Sequence, residues 1–231
     1  MVNTKLKVVI FDLDGVLIDS EALMRAAFET TYHQILGKKT PPTEAYLEHM
    51  GESFPQIMDC LGLPHAFWEP YRQFCQREVA RIKLFPESCA LLRDLHTLGL
   101  RLAILTGKDH KRTIQVLEHF DLNGFFDKVV TSDQLQHSKP NPEGILTILQ
   151  SFECTSEEAV MIGDAVNDIL CAQRAGVMAI AVTWGIKPER VQSLCQPDYI
   201  AHDWDALRQI LLGRYNDNLT AARKLANDDE H

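Results

Sequence analysis

Val8–Ser20 reads VVIFDLDGVLIDS. Four apolar residues, Val8 to Phe11, run straight into Asp12 and Asp14, which one leucine separates, and Gly15 follows at once. A near-continuous apolar run of this length suits a strand buried on both faces, as in a parallel sheet. Two carboxylates so close at its mouth repel one another unless a cation or a proton sits between them. The architecture and the chemistry can both be read outward from this stretch.

Similar runs recur at Leu100–Leu105, Lys128–Thr131, Ala159–Ile162 and Met178–Val182, with a weaker one at Tyr199–Ala201. Helical patterns fill the gaps. Ser88–Leu98 places Leu91, Leu92, Leu95 and Leu98 on one face before Gly99, a natural stop. Lys111–Phe120, Pro142–Phe152, Val166–Ala175 and Pro188–Leu194 follow, with Asn141 read as an N-cap and Pro142 as the first helical residue. Such alternation predicts an α/β fold, a doubly wound parallel sheet. One interval departs from it. Between Ile18 and Lys83 no strand signal appears, while Glu21–Leu36, Pro55–Leu61 and His65–Ile82 read as helices, broken at Gly37–Thr43 and Gly62–Pro64. The expected organisation is a core from 1–17 and 84–213, an all-helical insertion over 18–83, and a polar tail over 214–231.

A formal charge of −9 repels nucleic acid and anionic membranes, and no basic run interleaved with aromatics appears. No stretch approaches the roughly 18–20 apolar residues of a membrane span. The six cysteines form no CxxC pair, and polar Met1–Lys7 does not begin a signal peptide. Reduced cysteines in a cytoplasmic chain are therefore expected, with neither nucleic acid nor membrane as partner. The histidines show no HExxH or other zinc spacing.

Open α/β sheets bind ligands at the carboxyl ends of their strands. Those ends carry Asp12 and Asp14, then Thr106 and Gly107, then Lys139, then Asp164 with Asp168 one helical turn further. Any single aspartate serves as readily as a helix cap or turn former. Four at matching strand ends instead suggest a Mg2+ site, which takes carboxylates, water and substrate phosphate. The Thr106 hydroxyl, the bare Gly107 backbone and Lys139 beside a helix start suit an anion. Gly107–Lys108 is no P-loop, since Asp109 stands where Ser or Thr is needed, and neither GxGxxG nor GxSxG occurs.

The pieces FDLDGVL, LTGK, SKPNP and MIGDAVND, in this order and spacing, resemble the motifs of the haloacid dehalogenase-like phosphohydrolases. The helical insertion resembles the alpha-helical cap of their phosphoglycolate phosphatase-like branch. The resemblance covers about residues 6–212. It implies Asp12 as the nucleophile that forms an aspartyl-phosphate, and Asp14 as the group that protonates the leaving alcohol and then activates water. It implies Thr106 and Lys139 on the phosphoryl oxygens. Mg2+ would be held by Asp12, the backbone carbonyl of Asp14 and Asp164, with Asp168 acting through coordinated water. The substrate would be a small phosphate monoester, phosphoglycolate-like or sugar-phosphate-like, with Phe54, Met50 and Gly107 near it, and the protein a monomer or homodimer. Val16 and Gly107 depart from the commoner threonine and serine or asparagine. TGKD followed by KRT resembles phosphatases associated with aminohydroxybenzoate synthesis. Phosphosugar mutases share all four motifs, but Met50, Ser53 and Phe54 stand where they tend to carry basic residues. A non-catalytic phosphate-binding protein would usually have lost Asp12, Asp14 or Asp164.

Overall fold

The computed structural model describes residues 5–37, 40–185 and 188–215. In chain order, β1 (Val8–Phe11) and a two-residue β2 (Ile18–Asp19) lead into four helices, α1 (Glu21–Leu36), α2 (Thr43–Glu48), α3 (Phe54–Leu61) and α4 (Trp68–Arg77). The chain returns through β3 (Lys83–Leu84), α5 (Pro86–Thr97), β4 (Arg101–Thr106), α6 (His110–His119) and β5 (Lys128–Thr131). It then forms α7 (Glu143–Ser151), β6 (Ala159–Gly163), α8 (Val166–Ala175), β7 (Met178–Val182), α9 (Pro188–Leu194), β8 (Tyr199–Ala201) and α10 (204–215).

Six strands make one parallel sheet in the order β5-β4-β1-β6-β7-β8. The chain winds outward from β1 through β4 to β5, then crosses back to β6 and winds the other way. This reversal places the end of β1 in the crevice where doubly wound sheets hold ligands. Phe11 is level with Ile104 of β4 and Ile162 of β6, so Asp12 emerges between Thr106 and Asp164. Alternation along each strand feeds two cores. Val8, Ile10, Ala103 and Leu105 pack against Ile145 and Ile148 of α7 and Ile169 of α8. Val9, Phe11, Leu102 and Ile104 pack with Leu91, Leu92 and Leu95 of α5, Leu117 of α6 and Leu207 of α10. Because both faces are covered, the strands read as continuous apolar runs rather than alternating ones.

The second core continues without a break into the inserted helices. Phe28 of α1 stacks on Tyr46 of α2 at 4.2 Å, and the Tyr46 and Tyr71 hydroxyls share a 2.7 Å hydrogen bond. That bond satisfies two hydroxyls that would otherwise be costly to bury.

Several local expectations are corrected. The 18–83 interval does contain strand: β2 and β3 pair antiparallel, Ile18 with Leu84 and Asp19 with Lys83, where the chain leaves and re-enters the sheet. Two residues with no periodicity carry no strand signal, and only the tertiary pairing makes them one. Thr43, placed in a break, opens α2 directly behind Pro41 and Pro42. The His65–Ile82 stretch is a 3-10 turn, α4 and a second 3-10 turn rather than one helix. Pro142 is the N-cap of α7 and not its first residue, while the Asn141 side chain accepts from Glu143 N at 3.0 Å. The expected tail begins inside α10, and residues 216–231 of it lie outside the described residues. All six cysteines are free, and no described helix is long and apolar enough to cross a membrane.

Candidate active site

The turn after β1 is built by its own backbone. Gly15 N donates to Ile18 O at 2.8 Å and Leu17 N to Leu13 O at 3.0 Å, which closes residues 12–18 into a compact loop. Gly15 has φ +78°, and a Cβ there would fall 2.1 Å from the Asp164 carboxylate. Only glycine tolerates both the left-handed backbone and that approach.

Within this frame the two aspartates of the opening stretch meet different surroundings. Asp12, 3% exposed, accepts from Lys139 Nζ at 3.0 Å. Lys139 also donates to Asp168 Oδ1 at 2.5 Å and to Leu105 O at 3.2 Å, so its three N–H bonds are all engaged. Burial drives the Asp12 carboxyl well above the ordinary carboxylate range; Lys139 opposes the rise, and Asp168 and Asp14 add to it. Burial pulls the Lys139 ammonium down, but Asp12 and Asp168 outweigh this and hold it charged. Asp14 instead accepts from Ser20 Oγ at 2.5 Å and pairs with Lys108 Nζ at 3.1 Å. Burial raises its carboxyl, yet Lys108, Ser20 and Arg112 together outweigh that and leave it below its usual value.

Asp12, Asp14, Thr106 and Gly107 line one small cavity of about 40 Å³, together with Met50 and Phe54 from the inserted segment. Lys108 N donates to Thr106 Oγ1 at 3.2 Å, which leaves the hydroxyl proton free to face the cavity. Lys139, expected on the phosphoryl oxygens, is buried against Asp12 and is not among the residues lining this cavity. Phe54 does line it while also packing on Tyr71 at 4.3 Å and Trp68 at 5.3 Å.

Asp12, Asp164 and Asp168 offer carboxylate oxygens that all lie within 4.8 Å of one another. Three hard oxygen donors, two of them on the Lys139 ammonium, fit a small divalent cation such as Mg2+. Asp168 has both oxygens engaged, by Lys139 and by Ala165 N at 3.0 Å, so it suits an indirect role. The Asp14 side chain belongs to the Lys108 pair rather than to this cluster.

Three residues here were not singled out from sequence. Ser20, at the N-cap of α1, holds Asp14. Lys108 and Arg112, 7% and 6% exposed, line the cavity. The rule that selected Thr106, proximity to a strand end, reaches Lys108 equally well. Arg112 follows from Asp109, the N-cap of α6, whose carboxylate accepts both the backbone N–H and the guanidinium of Arg112.

Gly107 explains its own departure from the commoner residue. A Cβ there would lie 2.6 Å from Glu52 O and 2.8 Å from Gly51 O, so the inserted segment rests directly on its backbone. Gly107→Ala must push that loop away, and a loss of about 1–3 kcal/mol is expected from such overpacking. A chemical denaturation midpoint equal to wild type would sink this reading of the contact.

The family model described as haloacid dehalogenase-like hydrolase matches residues 9–182. The chain is 30% identical over 210 residues to pyrophosphatase PpaX of Bacillus cereus, an alignment covering 90% of this chain and 97% of that one. A haloacid dehalogenase-like family hydrolase of Streptococcus pneumoniae superposes with a TM-score of 0.76 at 28% identity, covering 90% of this chain and 98% of its own. A Clostridium acetobutylicum structure reaches 0.79 at 24% identity, covering 91% and 100%, a likeness of fold.

Proposed function

The chain belongs to the haloacid dehalogenase-like hydrolases, and from that premise we propose that it hydrolyses a small phosphate monoester through an aspartyl-phosphate on Asp12. The observation that carries the reading is the division of labour between two carboxylates on one cavity wall. Asp12 is backed by Lys139, and Asp14 is held by Ser20 and Lys108. A cation among Asp12, Asp164 and Asp168 would hold Asp12 as a carboxylate, and a phosphate anion entering beside Asp14 raises that carboxyl towards its proton-bearing form.

Asp12 attacks phosphorus, the bond to the leaving oxygen breaks, and that oxygen takes a proton from Asp14. In the second half Asp14 accepts a proton from water, whose oxygen attacks phosphorus; Asp12 returns as a carboxylate and inorganic phosphate is released. The Thr106 hydroxyl donates a hydrogen bond to a phosphoryl oxygen. Lys139 acts through Asp12 and Asp168, fixing the nucleophile and offsetting negative charge that would repel the substrate. Asp12, the Asp14 carbonyl and Asp164 would hold Mg2+, with Asp168 behind them, and the ion when bound neutralises charge on the phosphoryl oxygens. Phe54, Tyr46 and Tyr71 from the inserted helices wall the cavity and exclude bulk water. The name of the Bacillus cereus relative, a pyrophosphatase, supports the same phosphoryl transfer.

The test is inorganic phosphate release from a panel of small phosphate monoesters, with Mg2+ and with chelator. Selective, metal-dependent release is expected. Silence across the panel from a folded protein would overturn the proposal.

A further inference from the structure

Asp12 and Asp14 stand two residues apart, yet their backbones are held in different ways. Asp12 still belongs to the sheet, since its N–H donates to Ile162 O of β6 at 2.9 Å. Asp14 lies on the loop beyond, where Ser20 and Lys108 hold its carboxylate but not its backbone. A tie on the loop backbone comes instead from the far end of β7. Trp184 donates its indole N–H to Val16 O at 3.2 Å, and among the described residues that carbonyl has no other donor.

The contacts around Trp184 keep that bond in place. Its ring stacks on Trp204 at the start of α10, with centroids 4.6 Å apart and planes 28° apart. Trp204 in turn packs on Phe85, 6.1 Å away, and Phe85 N donates to Leu17 O at 3.2 Å. The aromatic stack therefore begins at Val16 and ends at Leu17, on neighbouring residues of one loop. Gly185, next to Trp184, closes the other side. A Cβ on Gly185, like one on Gly15, would overlap the Asp164 side chain, so the two backbones enclose that aspartate. Packing of this kind fixes Trp184 before it donates, and a donor already fixed can hold its acceptor to one position.

Resting on the phosphatase reading, we propose that Trp184 is a positioning residue for proton transfer: its indole N–H pins the 12–18 loop at Val16 and so sets where Asp14 stands relative to Asp12. Trp184 is not among the residues lining the cavity and acts through the loop alone. The nucleophile keeps its place through β6 whether or not this bond is made. Loss of the N–H therefore impairs delivery of the proton to the leaving oxygen and spares the attack on phosphorus.

The leaving group separates this role from a merely structural one. Trp184→Phe keeps a ring against Trp204 and removes the N–H. Leaving-group release would be followed in a single turnover with enzyme in excess, so that hydrolysis of the aspartyl-phosphate does not enter. Acetyl phosphate loses acetate, which departs as an anion, whereas an alkyl monoester loses an alcohol and needs the proton. The variant is expected to slow release from the alkyl monoester that wild type turns over fastest by at least about tenfold, and from acetyl phosphate by less than about threefold. In an Asp14→Asn background the same substitution should slow the alkyl ester by less than about threefold, because residues that act as one unit do not add. Trp204→Phe, which disturbs the stack and leaves the N–H, should show no such split. Equal effects on both compounds, an unchanged rate on the alkyl ester, additivity with Asp14→Asn, or the same split in Trp204→Phe would each overturn the assignment, provided thermal unfolding shows the variants folded. A wild-type chain that releases neither leaving group would overturn the hydrolytic reading instead.

Discussion

Replacing Asp12 by asparagine is expected to reduce phosphate release by a factor on the order of 10⁵ or more, the scale on which enzymes lose rate when a covalent nucleophile is removed. Asparagine fills the same volume and can still accept from Lys139 through its carbonyl, so the contact across the β1 end survives. The carboxylate it replaces sits in a cluster that burial, Asp168 and Asp14 make unfavourable for negative charge. Thermal unfolding is therefore expected at or slightly above the wild-type midpoint. The two readouts together separate a nucleophile from a structural residue. Activity within tenfold of wild type would remove Asp12 from the reaction. A collapsed melting curve would instead show that the cluster needs this charge to fold.

The sheet was legible in the sequence because both faces of each strand are covered. Val8 and Ile10 serve one core and Val9 and Phe11 the other, so burial itself writes the unbroken apolar run. Helices that pack one face on the sheet, such as α5 with Leu91, Leu92 and Leu95, were equally plain. Structure that depends on partners distant in the chain was not. Thr43–Glu48 is short, follows two prolines and buries only Thr43, Tyr46 and Leu47, too few positions for a period to emerge. The β2–β3 pair exists only because residues 18 and 84 meet in space.

The site divides along the same line. Asp12, Asp14, Thr106 and Asp164 announce themselves because each lies at or just beyond the end of a strand. Lys139 was found by its position, but its hold on Asp12 is shared with Asp168 and Leu105 O, an arrangement no local motif encodes. Lys108 lay within the stretch rejected as a P-loop and Arg112 just beyond it, and the setting of the Arg112 guanidinium rests on Tyr71 and Trp68, which belong to another segment.

The shared hold on Asp12 and Asp168 makes Lys139 the residue whose loss should most disturb the fold. Lys139→Met removes the ammonium and leaves the Asp12 and Asp168 carboxylates buried together with nothing between them. Breaking a buried pair in this way costs about 3–5 kcal/mol, because the stranded charge stays behind. Methionine fills most of the space, so the penalty is electrostatic rather than a cavity. If so, it should shrink when the stranded charge is removed. Asp12→Asn introduced into Lys139→Met should recover stability, whereas the same substitution in the wild-type background changes little, a coupling of about 1–3 kcal/mol in a double-mutant cycle. Mg2+ should also stabilise Lys139→Met more than it stabilises the wild-type chain, since the ion would supply the missing charge among the same carboxylates. Activity should fall on the order of a thousandfold even where the variant is folded, because Asp12 loses its orienting partner and the approaching phosphate meets uncompensated charge. Urea unfolding with Mg2+ and with chelator measures the first three effects, and phosphate release measures the fourth. Additive stabilities across the cycle would mean that Lys139 and Asp12 do not act as one electrostatic unit, and the site would then need a different account of how its nucleophile is held.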